Sequence, residues 1–186
     1  MIAIILKTFL FLFIIFSHGL FFTRKILKVE KFNGFYEISL YGLIFTIFLS
    51  QFLNFFLALN NYLLVLNLIL ILIFLFFNKN LFINNLKLDL KIFVIFITLI
   101  FFQIYGSGFS DDLNHYHYSY ILNADSHNFI WGNSFMHNMF GTSPVWLTTN
   151  AYLNFDFTRL QDIHVVNAIF LFLILGLFFS EFFSNK

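Results

Sequence analysis

The chain has 186 residues, of which 60% are hydrophobic and only 10% charged, with a net charge of +1. A soluble domain is about a quarter charged, so this composition, with a mean hydropathy of +0.87, reads as an all-α integral membrane protein. The near-neutral balance and the lack of a basic stripe exclude nucleic acid as a partner, and the absence of cysteine excludes disulfides and thiolate metal sites.

A spanning helix needs about 20 mainly apolar residues, and five runs meet or approach that in chain order. The first is Ile2–Phe22, interrupted by Lys7 and His18. It lacks a charged leading segment and a small-residue cleavage site, so it reads as a retained helix rather than a signal peptide. The second runs from Tyr36 to Leu59, the third from Tyr62 to Phe77, and the fourth, shorter, from Ile92 to Tyr105. The fifth is Val165–Phe183. The chain thus divides into four N-terminal helices with short loops (1–105), a long polar segment (106–164), and a fifth helix with a short tail (165–186). The 33 phenylalanines accompany many Asn, Ile and Lys, residues with A/T-rich codons, so they carry no separate functional signal.

Orientation follows from Lys and Arg in the short loops. The turn after the first run holds Arg24, Lys25, Lys28 and Lys31, and the turn after the third holds Lys79, Lys87 and Lys91. The Asn60–Asn61 turn holds none. Both basic loops are therefore predicted on the cytoplasmic side of an inner membrane, with the N-terminus outside, the C-terminus inside and the segment Gly106–His164 outside.

That outer segment holds five of the nine acidic residues and five of the six histidines. Ser110 reads as a helix cap followed by acids in the first turn, and Leu113, His117, Tyr120 and Ile121 share one helical face. The expectation is a helix lying on the outer membrane surface. A second short helix is predicted after Ser143 and Pro144, whose fixed φ suits a first helical turn. Trp131 and Trp146 read as interfacial anchors.

Two chemistries compete for this cluster. Asp111 and Asp112 could simply stabilise a helix N-terminus, worth about 0.3–1 kcal/mol each. Alternatively, a carboxylate at the membrane boundary could act as a general base toward an acceptor hydroxyl. Asp111 and His115 are spaced i, i+4 and are weak candidates for a divalent metal ion, completed by a substrate phosphate. No strong ligand signature is present.

The order Asp111–Asp112, Tyr116–Ile121 (YHYSYI), Gly132–His137 (GNSFMH) and Phe140–Trp146 (FGTSPVW) resembles the first large outer loop of polytopic bacterial surface-polysaccharide proteins of the GT-C membrane glycosyltransferase superfamily. Tyr116, His117, Gly132, His137, Phe140, Gly141 and Ser143 match that pattern, whereas Met139 stands for an expected Arg, Asn138 for a Gly, and Ser134–Met136 depart from it. The resemblance implies transfer of a sugar from a polyprenyl-phosphate donor to an envelope glycan on the outer face. Asp111 or Asp112 would be the catalytic residue, His117 and His137 would line the polar pocket, and Arg159 would meet the donor phosphate. A divalent ion assists some members. Such relatives carry further spans, so the expectation is an N-terminal part that works with membrane lipid and a second polypeptide supplying the remaining helices. The alternatives are a non-catalytic multi-pass subunit, whose outer helices dock a partner, a truncated inactive fragment, and a transporter, for which Lys7 and His18 are the candidates within helices. Both can lie near a membrane boundary, which leaves transport with the least support.

Overall fold

A computed structural model describes residues 2–29, 34–86, 93–94, 97–98, 117–128, 145–153 and 163–184. All regular structure among these residues is helical: α1 (Ile2–Phe21), a π-helical turn (Phe22–Ile26), α2 (Phe35–Asn54), α3 (Asn61–Phe77), α4 (Lys79–Asn85), α5 (Tyr118–Ser126), α6 (Val145–Tyr152) and α7 (Ile163–Ser184).

Three stretches are long and apolar enough to cross a membrane: Ile5–Ile26, Phe35–Asn54 and His164–Phe182. At about 1.5 Å per residue each covers roughly a hydrocarbon core. α3 and α4 together qualify as a fourth, but α4 leaves the α3 axis at 92°. The predicted fourth run, Ile92–Tyr105, lies almost entirely outside the described residues. The first run extends past Phe22, because the π-helical turn continues it with Leu27 N donating to Phe22 O at 2.9 Å. The second stops at Asn54 rather than Leu59. There the chain tightens, with Phe56 N donating to Leu53 O at 3.0 Å, and Asn60 then caps α3 by accepting from Leu63 N at 3.2 Å. The residue that opens α2, Gly34, has φ 123° and ψ −161°, a backbone region almost confined to glycine that costs an L side chain about 1–3 kcal/mol.

α1 and α2 form the most extensive pair. Ser39, Gly42, Thr46 and Ser50 recur at helical spacing on α2 and are all buried. A Cβ on Gly42 would run into the Ile15 carbonyl and the Gly19 backbone, and one on Gly19 into the Ile38 carbonyl. Small residues therefore let the two backbones touch, which is how helices pack where no water drives them together. Larger side chains fill the rest of this contact: Phe11, Ile14, Ile15 and Leu20 of α1 and Ile38 and Leu43 of α2 are almost wholly buried. α7 seats Val165, Val166, Ala168, Ile169, Phe172 and Leu173 against the pair. Its Gly176 faces the Tyr36 ring.

The packing sorts the connections to two ends. Arg24 donates to Asn85 Oδ1 at 3.2 Å, so the turn after α1 meets α4, and Lys25, Lys28 and Lys79 belong to the same two connections. At the opposite end the α2–α3 turn meets α5, with Leu59 N donating to Ala124 O at 2.8 Å. The two basic loops thus share one end and helices from the long polar segment occupy the other, the arrangement that the charge distribution predicts.

Candidate functional site

The loop end is assembled from α5, α6, the end of α2 and the start of α7. α5 turns Tyr120, Ile121 and Ala124 inward, the face expected from the sequence. This face packs on protein, however: Asn54 Nδ2 donates to His127 O at 3.4 Å, and α6 lies against α5. His117, the residue before α5, is half-buried.

α6 is more enclosed than a surface helix. Every side chain from Leu147 to Tyr152 is buried, including Thr148, Thr149 and Asn150. Thr149 Oγ1 and Ser50 Oγ of α2 lie 3.2 Å apart, and each hydroxyl also reaches a carbonyl of its own helix, Val145 O at 2.8 Å and Ile47 O at 2.9 Å. Such bonding within the helix lets threonine sit in an apolar setting. Trp146 packs edge-to-face on Phe170 with centroids 5.6 Å apart, and its indole N–H donates to Asn167 Oδ1. The predicted interfacial anchor is therefore a tie between α6 and α7. Burial pushes the Tyr152 hydroxyl above its ordinary range, so it is protonated at neutral pH.

The same packing brings His117 to His164. The two imidazoles are close enough for His117 to act on His164 electrostatically, although they come from different parts of the long segment. Buried polar atoms normally have hydrogen-bond partners, yet His164 Nε2 and Thr148 Oγ1 have none among the described residues. Both are positions at which a further polar group would be stabilised.

Of the candidate catalytic, binding and metal-ligating residues read from the sequence, His117 is the one the structure positions. Asp111, Asp112, His115, His137 and Arg159 lie outside the described residues, as do Ser110, Trp131, Ser143 and Pro144. Among the described residues no group of three or more His, Asp or Glu side chains could hold a metal ion. Sequence reading missed His164 as a neighbour of His117, together with Ser50 and Thr149. The signal available for Ser50 was the Ser39–Gly42–Thr46–Ser50 recurrence inside an otherwise apolar run. His164 offered no local signal, because its neighbour lies far away in the chain.

A family model described as a domain of unknown function, DUF8201, matches residues 1–186. No curated protein and no solved structure matches the chain.

Proposed function

This chain belongs to the DUF8201 family, and we propose that it is a multi-pass inner-membrane protein acting in sugar transfer to an envelope glycan. In this reading the loop end faces outward and the basic end faces the cytoplasm. The donor is a polyprenyl-phosphate sugar, whose lipid lies in the bilayer and whose sugar lies at the boundary. A carboxylate of Asp111 or Asp112 takes the proton from the acceptor hydroxyl. That oxygen bonds to the anomeric carbon, and the polyprenyl phosphate leaves with the bonding electrons. His117 and His137 line the polar pocket, and Arg159 meets the phosphate. A divalent ion, if used, would draw on Asp111 and His115.

The observation that supports this reading best is the docking of α5 and α6 on one end of the bundle. Helices from the polar segment are anchored there by Leu59–Ala124, Asn54–His127 and Ser50–Thr149 contacts, beside membrane-length helices. A substrate half in lipid and half in water requires a polar site held at such a boundary. The test is the double variant Asp111→Asn with Asp112→Asn, expressed in the native cell and assayed for envelope glycan. Loss of transfer with normal membrane insertion is expected, and normal transfer would overturn the reading.

A second reading is a non-catalytic subunit. It is favoured by the apolar outer face of α3, where Leu66, Leu70, Ile73, Phe76 and Phe77 are exposed and a partner helix would pack. In that case the double asparagine variant behaves as the parent, and substitutions on the α3 face abolish function.

A further inference from the structure

α1, α2 and α3 enclose a polar group that the glycan-transfer reading does not use. His18 is 5% exposed. Its Nδ1 lies 2.8 Å from Thr46 Oγ1 of α2, and its Nε2 lies 3.0 Å from Asn67 Oδ1 of α3. Thr46 and Asn67 are within about one helical turn of the middle of their helices, and His18 of the middle of the apolar stretch Ile5–Ile26. Polar side chains at that depth are costly and mark functional positions.

The hydrogen-bond inventory leaves one position open. The Thr46 hydroxyl donates to Gly42 O at 2.7 Å, so it presents a lone pair to Nδ1, which is the protonated nitrogen of a neutral ring. Nε2 is then an acceptor, and Asn67 meets it through its amide N–H when the amide is turned end for end, an exchange that leaves the shape of the side chain unchanged. The position of Nδ2 is buried without a partner among the described residues; in the turned amide the carbonyl oxygen takes that place. The turned amide thus bonds His18 through its N–H and leaves its carbonyl oxygen open.

Beside this group is a cavity of about 330 Å³ lined by Ser17, His18 and Asn67 on its polar side and by Phe21, Leu70 and Phe74, among others, on its apolar side. That volume falls within the range of small-molecule sites. Leu70 and Phe21 are 58% and 38% exposed, so they form the mouth, and in a membrane-spanning bundle the mouth opens sideways toward lipid chains.

We propose that this cavity binds an uncharged lipid alcohol, its hydroxyl paired with the Asn67 amide and its chain lying against Phe21, Leu70 and Phe74. Three features select that class. A charged headgroup is held at the interface, about 15 Å from the bilayer centre, whereas an uncharged alcohol enters the interior. A hydroxyl both donates and accepts, so it satisfies Asn67 in either amide orientation. The remaining walls are apolar. An isoprenoid alcohol and a diacylglycerol share this chemistry. The inference rests on the membrane-spanning reading but not on glycan transfer, so normal glycan in the aspartate variants leaves it intact.

The test is photo-cross-linking of the full chain in phosphatidylcholine nanodiscs, with diazirine-bearing farnesol and diazirine-bearing diacylglycerol as separate probes. Saturable labelling of the Ser17–Phe21 and Asn67–Phe74 peptides is expected, displaced by the unlabelled alcohol but not by phosphatidylglycerol. The more strongly displacing alcohol identifies the source. Asn67→Leu should raise the half-saturating concentration about tenfold, the weight of one hydrogen bond. Leu70→Trp closes the mouth while leaving the His18 hydrogen bonds alone, and should reduce labelling to the level of the exposed α7 surface at Phe170 and Ile174. Labelling that does not saturate, that a hydroxyl-free alkane displaces equally, or that persists in Leu70→Trp protein of parental melting temperature overturns the proposal. So does a cavity that labels no more than the α7 surface, which would then hold water alone.

Discussion

His18 illustrates how a residue's meaning depends on its partners. An imidazole in an apolar helix is costly, and here its two nitrogens are met from two other helices. Asn67→Leu removes the Nε2 partner and leaves a buried polar atom unmet, so the protein should lose about 1–3 kcal/mol, read as a lower melting temperature. The double variant His18→Leu with Asn67→Leu removes both polar groups and should cost less than Asn67→Leu alone; the reverse order would refute the pairing. Tyr152 supplies a pH-dependent counterpart at the loop end. Burial raises its pKa above the ordinary value of 10.0, so the folded state retains a proton that the unfolded chain releases as pH rises past that value. Stability is therefore undiminished below about pH 10 and falls above it. Tyr152→Phe should flatten that alkaline fall while leaving stability at neutral pH nearly unchanged.

At the scale of elements, the α1–α2 contact depends on Gly42 and Gly19, where neither backbone leaves room for a Cβ. Gly42→Leu should separate the helices and cost more than the 1–3 kcal/mol or so of ordinary overpacking, measured as loss of monodisperse protein or a large fall in melting temperature. A parental melting temperature would show that the contact is not as close as described. The α6–α7 tie is lighter. Trp146→Phe keeps the ring on Phe170 but removes the bond to Asn167, and about 1 kcal/mol should be lost, with faster amide exchange in α6. Boundaries at this scale were legible where a local rule set them. Asn60 starts α3 as an Asx cap, and the end of the apolar run closes α3 at Phe77. The stop at Asn54 was not legible, because Phe55–Leu59 is as apolar as the helix before it and the chain turns there to meet Ala124.

For the whole molecule, the sorting of connections to two ends can be tested directly. The chain has no cysteine, so single cysteines can be introduced without background. Lys25→Cys and Lys79→Cys should react with a membrane-impermeant maleimide from one side of a sealed vesicle, and Phe56→Cys and His127→Cys from the other. All four parent side chains are exposed. Reaction of the first two from opposite sides would contradict the described packing.

Composition and hydropathy were enough to read a helical chain with stretches long and apolar enough to cross a membrane, because both are sums over neighbouring residues. Lys and Arg counts grouped the two basic connections, which the packing brings to one end, since each loop's charge is local as well. What only the tertiary structure decided are pairings between distant residues: His18 with Thr46 and Asn67, Ser50 with Thr149, and Trp146 with Asn167. The polar residues within the apolar runs looked like interruptions in a linear reading. Packing joins them because, away from water, a polar side chain is stable only where another helix supplies its partner.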